Sequence, residues 1–180
     1  CADLRVVRGP AAVPLGIAAV RLAQWRQRIH TIAAGGSDPV GTLGYVNAAL
    51  ELERQCRAGE CSVPDEVHVA GGTLGTAIGL AIGFAIAGLP SRVVAHRITS
   101  RAITNRRRAR WLVRGTLALL ARGGYTQGLP SPDEVHGRFR IEQGQNRRGY
   151  GHATAAAHDA LALLAEHPGQ SLDQTYNPKA

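Results

Sequence analysis

A short apolar segment near the middle of the chain is followed directly by glycines and hydroxyl residues that could bind a phosphate. Val67 to Ala70 have the pattern of a buried strand, and an apolar helical pattern begins at Thr76. The N–H groups of a first helical turn have no intrahelical partner, and glycine lets a phosphate approach them closely. The hydroxyl groups of Thr73 and Thr76 add further donors, so the segment predicts an anion site. The alternative is that its glycines, Gly71, Gly72 and Gly75, serve close packing of a strand against a helix.

The same region must also be weighed as a membrane span. From Val69 to Leu89 the chain carries no charge, and this length would cross a hydrocarbon core of about 30 Å. Four glycines recur at the GxxxG spacing of membrane helix pairs: Gly71, Gly75, Gly79 and Gly83. However, the first third fits a strand and a turn, so only Thr76 to Leu89 remain as helix, which is too short to span. The sequence therefore predicts a buried helix, stopped at Gly88, and no membrane partner.

The composition is that of a globular protein with a strong positive charge. The chain has 180 residues, 44% of them apolar, and a formal net charge of +8. Lys179 is the only lysine, so arginine carries almost all of this charge. One arginine cluster invites a nucleic-acid interpretation, but Trp111 and leucines at helical intervals follow it and are predicted to face a core. These arginines are therefore interpreted as the solvated side of a helix, and no nucleic-acid partner is predicted: Arg106, Arg107, Arg108 and Arg110.

The cysteines and histidines show no metal-ligand spacing, so no metal site is predicted. Cys1, Cys56 and Cys61 are odd in number and lack the spacing of a redox pair, which fits reduced, structural thiols in the cytoplasm. The chain contains no methionine and begins within a strand-like segment, as expected for an internal fragment of a longer protein. No secretion signal is visible at its start, which also favours a cytoplasmic location.

Strands and helices alternate along the chain, which predicts an α/β fold with a mostly parallel sheet. Strands are predicted at residues 4–7, 29–33, 67–70, 92–96 and 139–142. Helices are predicted after Pro14, from Val46 to about Arg57, from Thr76, from Arg106 and after a cap at Thr154. Residues 34–45 are interpreted as a connecting loop, with a ligand-binding wall as the alternative. Residues 123–132 are predicted to be turns.

Four segments in this order carry a family resemblance: GGSDPVGTLGYVNAALEL, VAGGTLGTAIGL, GYGHAT and LDQTYNPKA. Together they resemble the 1-aminocyclopropane-1-carboxylate deaminase and D-cysteine desulfhydrase family, pyridoxal-phosphate enzymes of fold type II. The resemblance implies a tryptophan synthase β-like fold, a mostly parallel twisted sheet with helices on both faces, present here incompletely. It also implies that residues 1–33 end the smaller domain and that residues 34–180 belong to the larger, cofactor-phosphate-binding domain, truncated at both ends.

The resemblance assigns roles to individual positions. Gly72, Thr73, Leu74, Gly75 and Thr76 match the loop that holds the phosphate of pyridoxal 5'-phosphate, with leucine standing where the family usually has glycine. Two positions match catalytic residues that lie near the substrate: Tyr150 and Tyr176. A further two depart from the family at the pyridine nitrogen: Asn177 occupies the position of a threonine or glutamate, and Pro178 that of a glycine. An amide can hydrogen-bond this nitrogen but supplies no negative charge to hold a pyridinium.

The implied activity is pyridoxal-phosphate-dependent deamination or desulfhydration of a small amino acid of the 1-aminocyclopropane-1-carboxylate or D-cysteine type. In the family, the Schiff-base lysine and a Ser-Asn segment lie upstream of the first matching segment, and this chain has no counterpart of either. Lys179 matches the closing Lys-Ala pair and is interpreted as structural. The chain alone is therefore expected to be inactive, and the full-length protein to form a homodimer. The alternative is a non-catalytic homologue that binds the cofactor or an amino acid.

Overall fold

The computed structural model describes residues 13–23, 32–143, 154–165 and 178. The chain divides into two compact units, Cys1–Ile32 and Ala33–Ala180. The first unit contains helix α1 (Val13–Ala23), the helix predicted after Pro14. The strand predicted at 4–7 lies outside the described residues, and of the one predicted at 29–33 only residues 32 and 33 are described, neither of them in a strand. The assignment of residues 1–33 to a smaller domain stays a prediction.

A parallel sheet of three strands forms the second unit's framework. The strands are β1 (Glu66–Gly71), β2 (Arg92–Arg97) and β3 (Phe139–Glu142), and they lie in the order β1-β2-β3. In this register Val67 is opposite Val93, and Val93 is opposite Phe139. All three pack into the aliphatic core, because residues that are opposite each other on neighbouring strands lie on the same face of the sheet. The parallel α/β fold predicted from the sequence is confirmed.

The described residues of this unit also form five α-helices: α2 (Pro39–Arg57), α3 (Gly75–Ala87), α4 (Arg106–Arg122), α5 (Pro132–Gly137) and α6 (Ala155–Ala165). The helix that follows the glycine turn begins and ends close to the predicted residues, with Gly88 as its left-handed cap. The predicted cap of α6 is also confirmed, because the Thr154 hydroxyl accepts a hydrogen bond from the N–H of Ala157 at 3.2 Å.

Two helix starts differ from the sequence prediction. Helix α2 begins within the predicted loop, because the Asp38 carboxylate accepts a hydrogen bond from the N–H of Gly41 at 2.8 Å and Pro39 suits a first helical position. Helix α5 was not predicted, and it begins at Pro132, the last residue of the segment predicted to be turns. Its start is capped in the same way, since the Ser131 hydroxyl accepts a hydrogen bond from the N–H of Glu134 at 3.1 Å. In both cases a local cap outweighs the neighbouring turn-forming residues.

Helix α3 is the centre of the core, and its glycines form the face that packs on α2. A Cβ atom at Gly79 would lie 2.6 Å from the carbonyl oxygen of Thr42, and one at Gly83 would lie 2.6 Å from the carbonyl oxygen of Val46. The GxxxG spacing therefore serves a close helix pair inside a folded domain. Within the described ranges, no helix is long and apolar enough to cross a membrane.

The arginine-rich helix α4 buries apolar residues and exposes most of the arginines predicted to be solvated, but Arg108 is half-buried and donates to the Ser37 carbonyl oxygen. Leu112 and Val113 are fully buried, whereas Arg106, Arg107 and Arg110 are exposed. The prediction was wrong for Trp111, which is 47% exposed. The guanidinium of Arg108 covers part of its ring, and the guanidinium carbon lies 4.5 Å from the ring centroid.

Candidate functional site

A cavity of about 750 Å³ opens where the carboxyl ends of β1 and β2 meet the start of α3. In parallel α/β sheets this edge is the usual position of a ligand site. Three segments of the chain line it: residues 34–45, 70–76 and 98–103. The lining residues are Ala34, Gly35, Gly36, Ser37, Gly41, Tyr45, Ala70, Gly72, Thr73, Leu74, Gly75, Thr76, Ile98, Thr99, Ser100 and Ile103.

The start of α3 presents hydrogen-bond donors at this cavity. The first bond along the helix runs from the N–H of Ile78 to the carbonyl oxygen of Leu74, at 3.0 Å. Of the preceding N–H groups, that of Gly75 donates to the Ser37 hydroxyl at 3.2 Å, and no described residue accepts a hydrogen bond from those of Thr76 and Ala77. Free N–H groups at the positive end of a helix fit an anion such as a phosphate.

Leu74 precedes this helix in a left-handed conformation, with φ 70° and ψ 1°. Its side chain is 2% exposed and belongs to the core cluster. A left-handed residue other than glycine costs about 1–2 kcal/mol, whereas burying a leucine side chain stabilises by about 1.5–3 kcal/mol. The leucine therefore keeps the backbone shape that glycine favours, and its N–H group remains available to the loop.

Residues 34–41 form a wall of the cavity, which corrects their interpretation as a mere connection. The Ser37 hydroxyl lies 2.5 Å from the Thr73 hydroxyl and is 3.3 Å from the carbonyl oxygen of Gly35, to which it donates. Gly35 has φ 64°, and a Cβ atom there would lie 2.5 Å from the Thr73 hydroxyl oxygen. The guanidinium of Arg108 donates to the Ser37 carbonyl oxygen and joins this wall to α4. The wall and the glycine loop are thus one hydrogen-bonded structure.

Two buried threonines after β2 hold the glycine loop from its other side. The Thr104 hydroxyl donates to the carbonyl oxygen of Gly71 at 3.1 Å and also contacts that of Gly72. The Thr99 hydroxyl reaches the Gly72 carbonyl oxygen at 3.3 Å and lies 2.5 Å from the Thr104 hydroxyl. Because these carbonyl oxygens are held by hydroxyl groups, the loop is fixed before any ligand binds. Sequence reasoning missed both threonines, whose only signal is their position just beyond a strand at the ligand edge.

The structure brings together Gly72, Thr73, Leu74, Gly75 and Thr76, the five residues predicted to hold the cofactor phosphate, along one side of the cavity. The remaining predicted site residues, Tyr150, Tyr176 and Asn177, lie outside the described residues, as does Lys179. Pro178 is described and buried. The roles of all these residues stay predictions.

Among the described residues, a pair of histidines and a pair of cysteines lie away from the cavity. His68 Nδ1 is 2.8 Å from His96 Nε2, and burial, followed by the charge of His68, lowers the pKa of His96. In the described part of the chain, no group of three or more histidine, cysteine or acidic residues is placed to hold a metal ion.

Two of the cysteines, Cys56 and Cys61, are free thiols that lie close together, and the structural role predicted for the cysteines stays a prediction. Cys61 is exposed, and its sulfur lies 3.3 Å from that of Cys56, although the sequence spacing indicated no pair. Burial, and then the hydrogen bond to Cys61, raises the pKa of the Cys56 thiol. The chain reverses direction after α2 ends at Arg57, and this turn brings the two thiols together.

The chain is similar to known proteins over nearly its whole length, although no protein-family model matches it. It is 31% identical over 163 residues to nocardicin C-9' epimerase of Nocardia uniformis subsp. tsuyamanensis, covering 91% of this chain and 47% of that protein. It is also 31% identical over 166 residues to D-cysteine desulfhydrase of Salmonella schwarzengrund, covering 90% and 45%. The crystal structure of an ACC deaminase homologue matches its fold with a TM-score of 0.72 at 24% identity, over 98% of this chain and 50% of that one. The chain thus spans about half the length of the relatives it matches.

Proposed function

We propose that the chain belongs to the 1-aminocyclopropane-1-carboxylate deaminase and D-cysteine desulfhydrase family and that its cavity binds pyridoxal phosphate, the cofactor of that family. The observation that carries the proposal is the start of α3, where the N–H groups of Thr76 and Ala77 have no described acceptor beside a cavity of about 750 Å³. A phosphate group is complementary to this arrangement in both charge and hydrogen bonding.

The residues of the glycine loop have different proposed roles in holding the phosphate. The backbone N–H groups of Thr73, Leu74, Thr76 and Ala77 and the Thr76 hydroxyl are proposed as donors. Those of Gly72 and Gly75 already donate, to the Ala70 carbonyl oxygen and the Ser37 hydroxyl, and shape the loop. The Thr73 hydroxyl is already paired with Ser37, so it positions the wall rather than the ligand. Thr99 and Thr104 keep the loop in shape, so that little ordering is needed when the cofactor binds.

When bound, pyridoxal phosphate supplies a conjugated ring that stabilises negative charge developing on an amino-acid substrate. We propose that Tyr150 and Tyr176 lie beside the substrate and donate hydrogen bonds or carry protons there. Asn177 is proposed to hydrogen-bond the pyridine nitrogen without supplying a negative charge. These three roles rest on the family resemblance of their sequence segments.

The proposed reaction is deamination or desulfhydration of a small amino acid of the 1-aminocyclopropane-1-carboxylate or D-cysteine type. It is proposed for a protein of the relatives' full length that contains this chain, since the Schiff-base lysine of the family has no counterpart here. That protein is proposed to be a cytoplasmic homodimer. The chain by itself is expected to bind the cofactor weakly and to give no borohydride-reducible adduct, and such an adduct at Lys179 would overturn its structural assignment.

The test of the activity is an assay of the full-length protein on both substrates. Turnover of 1-aminocyclopropane-1-carboxylate should release 2-oxobutanoate and ammonia, and turnover of D-cysteine should release pyruvate, sulfide and ammonia. Tyr150→Phe and Tyr176→Phe should each keep the visible spectrum of the cofactor while turnover falls by on the order of 10²-fold or more. The matched control is Tyr125→Phe, because Tyr125 is 41% exposed and lies outside the cavity.

Two outcomes would contradict this proposal. If the protein binds the cofactor but converts neither substrate, it is a binding homologue rather than an enzyme of this type. If it is active and neither tyrosine variant slows it more than Tyr125→Phe does, the roles given to Tyr150 and Tyr176 are wrong.

A further inference from the structure

A second cavity, of about 630 Å³, lies on the arginine-rich side of the same unit, and one of its lining residues is Thr104, whose hydroxyl also holds the glycine loop. We call it the arginine cavity. It is formed by the end of β2 and the segment that follows, the first turns of α4, the start of α5 and strand β3. Its lining residues are Arg97, Arg101, Thr104, Asn105, Arg106, Ala109, Arg110, Asp133, His136, Phe139, Arg140, Ile141 and Gln143.

The positive charge of this cavity is largely unneutralised. It is lined by five arginines and one acidic residue, Asp133. Of the arginines, only Arg140 forms ion pairs with described carboxylates, those of Glu66 and Glu142. The other four arginines have no described carboxylate within ion-pair distance. A concave surface lined by charges of one sign concentrates their field and attracts ions of the opposite sign.

Two of the unpaired arginines converge on one neutral group. A terminal nitrogen of Arg97 lies 3.3 Å from the Gln143 side-chain oxygen, and one of Arg101 lies 2.6 Å from the same atom. Two guanidinium groups are therefore held beside one oxygen that carries no full negative charge. An anionic oxygen at this position would satisfy the same donors and also offset their mutual repulsion.

A third observation is the effect of these arginines on a neighbouring histidine. The pKa of His136 is lowered, first by burial and then by the positive charge of Arg110, which outweighs the opposing charge of Asp133. Arg114 and Arg106 lower it further. The field inside the cavity is thus positive at a group that does not itself belong to the arginine cluster.

The remaining lining residues indicate the size and character of a ligand. Ala109, Phe139 and Ile141 add apolar surface next to the guanidinium groups. The volume lies in the range of small-molecule sites, whereas a nucleic-acid duplex needs phosphate contacts spread along an open surface. We propose that the arginine cavity binds a small organic molecule with several phosphate groups, whose phosphates contact Arg97, Arg101, Arg106 and Arg110.

The experiment is a calorimetric titration of the chain with inorganic tripolyphosphate and with adenosine triphosphate. We expect saturable binding of both, at one molecule per chain in this cavity. Arg106→Gln/Arg110→Gln should weaken the binding by about tenfold or more, because it removes two charged donors. The matched control is Arg107→Gln/Arg114→Gln, which removes the same charge from exposed positions of the same helix outside the cavity. This control should weaken binding by no more than about threefold.

Four outcomes would overturn the proposal. The first three are the absence of saturable binding, an equal loss of binding in both double variants, and full binding by the Arg106→Gln/Arg110→Gln variant. The fourth is a single-stranded oligonucleotide that binds more tightly than adenosine triphosphate and whose binding is weakened equally by both double variants. The last result would assign the arginines to nucleic-acid binding. Arg101→Gln, in the segment between β2 and α4, is a second test that leaves α4 intact, and it should also weaken binding of tripolyphosphate.

Discussion

Leu74 combines an unfavourable backbone conformation with a favourable side-chain position. Its positive φ of 70° is a conformation that glycine adopts freely, yet its side chain is 2% exposed in the core. The two effects oppose each other, and burial is the larger. Leucine is therefore tolerated at this position without a change in the turn that starts α3.

This balance predicts an unusual order of stability among variants. Leu74→Ala and Leu74→Gly should both destabilise, by about 2–5 kcal/mol, because both remove the buried side chain. The glycine variant should be the more stable of the two by about 1 kcal/mol, because only glycine relieves the positive φ. Urea unfolding measures both values.

The control for this comparison is an exposed position in α4, Ala118. There Ala118→Gly should be destabilising by about 1 kcal/mol, the ordinary order for a helix interior. If Leu74→Ala proves more stable than Leu74→Gly, the left-handed conformation of this residue is wrong.

The two threonines of the loop should have separable roles. The Thr76 hydroxyl forms no hydrogen bond with a described residue, whereas the Thr73 hydroxyl lies 2.5 Å from that of Ser37. Thr76→Val should therefore lower the affinity of the full-length protein for pyridoxal 5'-phosphate by about tenfold or more, with little change in the stability of the cofactor-free chain. Thr73→Val should instead lower that stability by about 1 kcal/mol. Fluorescence titration and thermal unfolding measure the two effects, and unchanged affinity in Thr76→Val would place the phosphate elsewhere.

At the scale of elements, the pairing of α2 with α3 depends on glycine. Helix α3 is apolar on all sides, so its propensity alone does not select the face that meets α2. Gly79 and Gly83 select it, because a Cβ atom at either position would overlap the backbone of α2. Close contact between the two helices in turn brings the cavity wall at residues 34–41 against the start of α3.

Gly79→Ala is therefore expected to destabilise the chain by about 1–3 kcal/mol, even though alanine is the better helix former. Gly44 is the matched control, since it lies within α2 and a Cβ atom there would meet nothing within 4 Å. Gly44→Ala should stabilise by about 0.5–1 kcal/mol. Urea unfolding of the two variants tests the packing, and a stabilising effect of Gly79→Ala would contradict it.

At the scale of the whole molecule, ion pairs link strands that are not neighbours. Arg140 on β3 forms two hydrogen bonds with the Glu66 carboxylate on β1, across the intervening β2. This contact is the main cause of a lowered pKa at Glu66, to which the charges of His68 and Arg92 also contribute. The carboxylate is thus stabilised in its charged form by groups from all three strands.

The sign of the resulting pH dependence follows from the lowered pKa. A carboxyl group whose pKa is lower in the folded than in the unfolded chain stabilises the fold above its unfolded pKa, and this stabilisation is lost as the pH falls through its folded pKa. Glu66→Gln should therefore lower the urea midpoint at about pH 7, and the difference from the parent should be smaller at about pH 3.

The control for the pH experiment is Glu51→Gln. Glu51 is an exposed residue of α2 with no ion pair to a described residue, so this variant should leave the urea midpoint nearly unchanged at both pH values. If the effect of Glu66→Gln were the same at both pH values, it would come from packing and not from the charge of the carboxylate.

Much of the fold could be predicted because its signals are local. The alternating valines of β1, the short apolar run of β2, the apolar run of α3 and its stop at Gly88 each depend on neighbours a few residues away. The starts of α2 and α5 were not predicted, because a single capping side chain decided each against a background of turn-forming residues.

The sequence by itself determined the parallel α/β class, the family resemblance and the glycine loop at the start of α3, since each depends on residue types within short local segments. Only the tertiary structure decided which hydroxyl groups hold that loop, which helix the glycines of α3 pack against and where the arginines converge. Ser37 and Thr73 are 36 positions apart, and Arg101 and Gln143 are 42 apart, yet each pair is in hydrogen-bonding contact. Such contacts are created by packing α2, α4 and β3 around one core, and no local pattern of residue types encodes them.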